Sequence, residues 1–342
     1  MDIKPFYSYL LFLFVLISCQ DKKEEATKDF FIIQGEAQGS TYSIKYIETE
    51  EIVVKSQIDS LLTAFDLSLS TYRPDSKIAK LNAGDSTIVV DNLFVETFRA
   101  SNQIYQETEG LFDPTVGVLI NAYGFGPSKK HQNVSQKEVD SLLQYVGFSK
   151  VKLQSNLTIS KMYPQIYFDF NAIAQGYSVD IVIDFLKAKG IKNAIVEIGG
   201  ELVAIGSNTI DHKKWVVGID DPLQEPNQRK LIVTIGIENL GMATSGNYRK
   251  VITDSITGEK FVHIINPKTG KREKNNILSA TVLAPKCIMA DGYATAFMLM
   301  PLEDVQIFAA KHPDLYIMIL YADDKNQLQQ FTTPNFQKLQ LK

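Results

Sequence analysis

The stretch from Asp169 to Gly200, DFNAIAQGYSVDIVIDFLKAKGIKNAIVEIGG, constrains the fold more than any other part of the chain. It reads as a strand end, a turn of small residues, a helix that stops at Gly190, and a strand closing in the Gly199-Gly200 pair. Small residues ahead of a helix leave its first N–H groups uncovered at the positive end of the dipole. Such a helix start receives phosphate without help from a cationic side chain, so the stretch points to a phosphate-bearing ligand. Tyr177, Ile181, Phe185 and Ala188 form an apolar stripe that packs the same helix onto a core.

The flanking sequence supplies both strand and helix periods. Phe30 to Ile47 reads as a hairpin, with turn chemistry around Gly35 to Gly39 and alternation at Tyr42, Ile44 and Tyr46. Helical spacing runs through Ile52 to Leu69, Asn92 to Thr108, and Ser135 to Val146, the last with Ser135 as N-cap and Glu138 at the capping-box position. Trp215 to Ala284 is strand-rich. Helices are expected over Ala290 to Met300 and Asp304 to Lys311, before a final strand around Leu315 to Tyr321. Runs of strands interrupted by helices, without regular βαβ alternation, define an α+β class.

The N-terminus reads as a targeting device. Tyr9 to Ile17 is an apolar run of signal-peptide length, too short to span a bilayer. Leu16-Ile17-Ser18-Cys19 reads as a lipobox, in which Cys19 would be acylated and become the mature N-terminus; an ordinary signal peptide with an incidental Cys ranks below it. The expected organisation is a lipoprotein signal peptide over 1–19, a flexible tether over 20–29, and a single domain over 30–342. Lipid chains on a tether hold a protein on a membrane without spanning it. That places this one in the bacterial cell envelope, facing the periplasm. Cys287 is the only other cysteine, so it forms no internal disulfide and reads as a buried, inert thiol. A net charge of −4 gives no basic footprint for nucleic acid. With 45% hydrophobic residues the chain can bury a substantial core. The segment Lys268 to Lys274 is locally basic and reads as a solvated hairpin tip.

GxGxxG, the P-loop and GxSxG are all missing, and His131, His212, His263 and His312 lack metal-ligand spacing. The informative segments are distributed. They are GSTYSIKY at Gly39, LSTYRPDSKIAKLN at Leu69, TEGLFDPTVGVLINAYGFGP at Thr108, the central stretch, TSGNYRK at Thr244, HIINPKTG at His263, and MADGYATAF at Met289. In this order and spacing they resemble the ApbE family of FAD-dependent protein flavinyltransferases, from about Gly39 to about Met300.

The resemblance implies an ApbE-like, T-fold-like architecture of antiparallel sheets and packed helices with FAD in a central cleft. It implies transfer of FMN from FAD onto a Thr or Ser hydroxyl of a target protein, as a phosphoester, with Mg2+ and release of AMP. The target would be an exported or membrane redox protein. The metal ligands carried over are Asp291, Thr295 and the carbonyl of Ala172. On the residues alone, Asp291 and Thr295 lie one turn apart on one helix face. A carboxylate, a hydroxyl and a carbonyl suit a hard cation; the plainer reading is an N-cap for Asp291 and a packing role for Thr295. The resemblance also assigns Tyr72, Phe112, Asp113, Asp169, Gln175 and Ile265 to the cofactor. Without it, Asp113 is a turn-former before Pro114, Asp169 and Gln175 are caps, and Tyr72 and Ile265 are strand residues. His263 is assigned a place near the reacting phosphate, where it could move a proton. Asp291 and His263 are the two candidate bases.

The chain departs from the family pattern in three places. Asn266 stands where HIIDP has a carboxylate, Asn171, Ala172 and Gln175 where DxGGIAKG has two glycines and a lysine, and Asn247 where SGDY has aspartate. Asn266 before Pro267 can fill a turn role. A Mg2+-dependent FAD pyrophosphatase would use nearly the same residues; a flavin-binding lipoprotein without turnover is a further alternative, against which the Asp291/Thr295 pair speaks.

Overall fold

The structure, a computed structural model, describes residues 27–127, 134–224, 228, 230–246, 251–253, 260–262, 264–272 and 275–341, with 251–253 and 260–262 as backbone alone. Eight strands form one sheet. They stand side by side in the order in which the chain makes them: Asp29–Ala37, Ser40–Glu48, Ala194–Ile198, Glu201–Ile205, Leu240–Gly246, Ile277–Ala284, Tyr316–Ala322 and Leu328–Thr332. Every neighbouring pair is antiparallel. Each helix and each side hairpin is therefore an excursion from a single meander. The first hairpin turns at Gln38 and Gly39, with φ of 55° and 72°. Positive φ at both central residues matches the right-handed twist of the strands they join.

Strand alternation sends two sets of side chains to two cores. In Tyr316–Ala322, Ile317 and Ile319 enter the larger core while Met318 and Leu320 enter a second one. Glu201–Ile205 divides in the same way, with Val203 and Ile205 on one face and Leu202 and Ala204 on the other. Helices Lys55–Leu69, Asn92–Glu107, Ala174–Ala188 and Cys287–Phe297 contribute to the larger core. The hairpin of Trp215–Asp220 and Leu231–Ile237, with Phe336, covers the opposite face. A small third cluster of Leu119, Tyr123, Val139, Val146 and Ile265 lies under the loops around Gly117–Ala122 and Gln136–Leu143.

The α+β expectation holds, and three local expectations change. The helix expected from Ala290 starts at Cys287, which moves Asp291 from a cap position into the second turn. The strand at Tyr316–Ala322 is not the last, because Leu328–Thr332 pairs with it and Pro334–Gln337 adds a short helix. The sequence LQQFT lacks alternation, and its half-buried edge position does not demand any. The expected stripe on Ala174–Ala188 is also displaced. Val179, Val182, Ile183 and Leu186 are buried, Ile181 and Phe185 are half-buried, and Ala188 is exposed. This helix is covered by the sheet and by a second helix, so its buried arc is wider than one i,i+4 row.

Candidate functional site

Three helices, two strand ends and the loops between them build one cleft of about 200 Å3. Phe112, Asp113, Asp169, Ala172, Gln175, Ile265, Asp291 and Thr295 all line it, so most of the residues singled out from sequence meet in one place. Tyr72 is not among the lining residues. It is 55% exposed, and burial together with the charges of Asp169 and Tyr167 raises its hydroxyl above the usual range. His263 and Cys19 lie outside the described residues.

Apolar and polar residues both line the cleft. Leu111, Phe112, Pro114, Val116, Ile264 and Leu299 make the apolar wall. Asp113 shapes the loop beside it. Its Oδ1 accepts from the N–H and the hydroxyl of Thr115 at 2.8 and 2.6 Å, and its Oδ2 accepts from Phe148 N–H at 3.0 Å. The turn-former reading of Asp113 thus describes its contacts. Asp169 also forms a turn, accepting from Asn171 N–H at 2.8 Å, while its own N–H donates to Pro114 O at 2.7 Å.

Gln175, Asp291 and Thr295 are positioned by the packing of Ala174–Ala188 against Cys287–Phe297. Each helix covers the other's N-terminus with a carboxylate. Gly176 N–H donates to Asp291 Oδ2 at 2.9 Å. Cys287 N–H and Ile288 N–H donate to Asp180 Oδ1 and Oδ2, each at 2.9 Å. Neither helix has a side-chain cap of its own, so these bonds satisfy donors that would otherwise be orphaned. Gly176 allows the close approach: a Cβ there would lie 2.5 Å from Cys287 O and 2.7 Å from Asp291 Cβ. Thr295 Oγ1 shares a hydrogen bond with Ser245 Oγ at 3.1 Å, tying the same helix to the sheet.

This geometry revises the phosphate argument drawn from sequence. The first turn of Ala174–Ala188 is not a bare amide cradle. Ala174 N–H donates to Phe170 O at 2.8 Å, and Gly176 N–H is taken by Asp291. A buried carboxylate, 5% exposed, stands where a phosphate was expected. Gln175 reaches away from the turn, its Nε2 donating to Ile198 O at 3.0 Å beside the Gly199 turn. Asn266 fills the turn role expected of it, its Oδ1 accepting from Lys268 N–H at 2.9 Å.

Sequence reasoning passed over Glu201 and gave no site role to Thr244 and Ser245 of the TSGNYRK segment, all of which also line the cleft. Glu201 carried a signal: it is an acid opening a strand, ELVAI, whose five residues are all buried. Cys287 is fully buried as expected. Its thiol donates to Met242 O at 3.4 Å and is held well above its usual range by burial, with Asp180, Asp291 and Glu201 adding to the effect.

Asp113 and Asp180 both have carboxyls pushed up to about 6 by burial, against the pull of the N–H groups they accept from. A raised folded value means the folded state holds its proton to higher pH than the unfolded state does. Each group's contribution to stability is therefore complete below about 4 and falls as pH rises to about 6. Two units at ~1.4 kcal/mol per unit gives roughly 3 kcal/mol per group. Carboxylates with lowered values, such as Asp59, Asp85 and Asp323, act in the opposite sense, so the comparison must be between variants. Urea unfolding of wild type and Asp113→Asn from pH 4 to 7 should show that the stability difference shifts in favour of the variant as pH rises. A difference that does not vary with pH would contradict the burial argument.

The fold thus places an apolar wall and a buried carboxylate shared between two helices on one cleft. The chain belongs to the ApbE family, whose model matches residues 38–319. It is 33% identical over 304 residues to the FAD:protein FMN transferase of Haemophilus influenzae, covering 85% of this chain and 86% of that protein. Identity to the FAD:protein FMN transferase of Vibrio cholerae is also 33%, over 319 residues, covering 91% and 92%. The solved structure of flavin transferase ApbE from Vibrio cholerae superposes with a TM-score of 0.80 at 31% identity, covering 92% of this chain and all of the other. The apo form of Pseudomonas stutzeri flavinyl transferase ApbE gives a TM-score of 0.80 at 28% identity, covering 91% and 97%.

Proposed function

We infer that this chain is a transferase that moves FMN from FAD onto a Thr or Ser hydroxyl of a target protein, with Mg2+ in the cleft and AMP as the second product. One observation carries the metal. Among the described residues lining the cleft, four are acidic, Asp113, Asp169, Glu201 and Asp291, and none is Lys, Arg or His. A diphosphate brought among carboxylates needs a positive charge between them. Asp291, Thr295 and the Ala172 carbonyl form a small oxygen donor set of the kind that holds a hard cation with waters and substrate oxygens. Mg2+, when bound there, supplies charge neutralisation at the diphosphate.

The residues of the chain do the rest by positioning. Phe112, Ile265 and the apolar wall take the flavin ring. The helix pair holds Asp291 and Thr295 toward the diphosphate. The acceptor hydroxyl attacks the FMN phosphorus, the P–O bond to AMP breaks, and the hydroxyl proton passes to a base. Asp291, which accepts from Gly176 N–H, and His263, which lies outside the described residues, are the two candidate bases. The acceptor is an exported or membrane redox protein, and the enzyme is held at the envelope by acylated Cys19, facing the periplasm. No described helix is long and apolar enough to cross a membrane.

Incubation with FAD, Mg2+ and a candidate exported redox protein tests the reading. The expected result is a fluorescent target band after denaturing electrophoresis, AMP released in equal amount, and loss of both with EDTA. Free FMN without a labelled target would instead indicate the pyrophosphatase. Unchanged FAD would indicate a binding protein.

A further inference from the structure

The residue that fixes the catalytic helix is outside the cleft. Asp180 does not line the cleft and is 8% exposed. It sits one turn after Gly176 on Ala174–Ala188, as Asp291 sits one turn after Cys287 on Cys287–Phe297. The two faces therefore exchange carboxylates. Asp180 takes the first two N–H groups of the partner helix, and Asp291 takes an N–H from the first turn of its own partner. Two carboxylate oxygens on two successive amides define the rotation of a helix about its axis as well as its position, because both donors must face one side chain. Asp291 and Thr295 follow on that same helix at one-turn intervals, so a rotation at Cys287 is carried to both. Gly176 leaves no slack between the helices, with Cys287 O directly against it.

We propose that Asp180 is a positioning residue for the transfer reaction, which aims Asp291 and Thr295 into the cleft by holding the first turn of Cys287–Phe297. The inference rests on the metal reading above. It differs from ordinary helix capping in its consequence: loss of Asp180 should weaken the metal site while the protein stays folded. Residues that orient metal ligands from behind typically change metal affinity by about 10–100-fold when replaced.

The test uses Mn2+, a hard cation that suits the same oxygen donors, titrated into the protein with FAD present and read by electron paramagnetic resonance. Asp180→Asn should fold, as read by the thermal midpoint and near-ultraviolet circular dichroism. Its Mn2+ dissociation constant should rise by about 10–100-fold, with a matching rise in the Mg2+ concentration that half-activates transfer. Asp180→Glu keeps the charge but displaces it by one methylene, and should fall between wild type and Asn. If Asp180→Asn does not fold, Asp180→Glu decides the matter by the same titration. A folded variant with wild-type Mn2+ affinity overturns the proposal and leaves Asp180 as a capping residue only. Absence of Mn2+ binding in the wild-type protein would instead bring down the metal reading, and this proposal with it.

Discussion

If Asp291 holds the metal as proposed, Asp291→Ala should lower flavin transfer by about 10^3-fold or more. A metal held there would supply several kcal/mol of charge stabilisation, and each ~1.4 kcal/mol is tenfold in rate. The same side chain also accepts Gly176 N–H in a buried place, so the alanine variant leaves that donor unpaired, at a cost of about 1–3 kcal/mol of stability. Asp291→Asn separates the two roles. The amide oxygen can still accept from Gly176 while the negative charge is gone. The asparagine variant should therefore unfold near the wild-type urea midpoint and still fail to label its target. Normal labelling by a well-folded asparagine variant would remove Asp291 from the metal site.

Gly176→Ala should lose both stability and transfer, although alanine is the better helix former. An added methyl would lie 2.5 Å from Cys287 O, a backbone atom that cannot swing aside. The helices must separate. Overpacking of this kind typically destabilises by about 1–3 kcal/mol. Separation also stretches the Gly176–Asp291 bond, and a misplacement of ~1 Å at a reacting group costs about 10^2-fold in rate. Gly190→Ala is the control. Gly190 has φ of +88° and open space around it, so that variant stores backbone strain of about 1–2 kcal/mol and leaves transfer unchanged. If Gly176→Ala transfers flavin at the wild-type rate, the tight helix contact has no part in aligning the site.

Much of the cleft was legible in the sequence because its parts are local patterns. MADGYATAF puts Asp291 and Thr295 on one face of a helix by spacing alone. DFNAIAQG announces a turn entering a helix, and Asn266 before Pro267 announces a turn. Seven distributed segments in register named the family, and the cleft gathers residues from five of them. Other residues were hidden. Thr244 and Ser245 sit in a strand whose alternation says only that one face is buried. Asp180 reads as one acid in an amphipathic helix, and nothing near it in sequence mentions Cys287.

Local sequence does not reveal what fills the start of Ala174–Ala188. Small residues at Asn171 to Ala174 imply open amides, and that implication is correct for an isolated helix start. The partner of Gly176 N–H, however, is 115 residues away in sequence, on a helix delivered after four further strands of the main sheet. The sequence by itself determined most of the longer elements, the strand alternation that divides the two cores, and the chemistry available at each position, because these depend on periods of two and 3.6 residues. Only the tertiary structure decided that two helices exchange carboxylates across a glycine, and that acidic side chains from separate segments share one cleft. Side-chain spacing along a chain carries no information about which remote donor will lie opposite an acceptor once the sheet has brought them together.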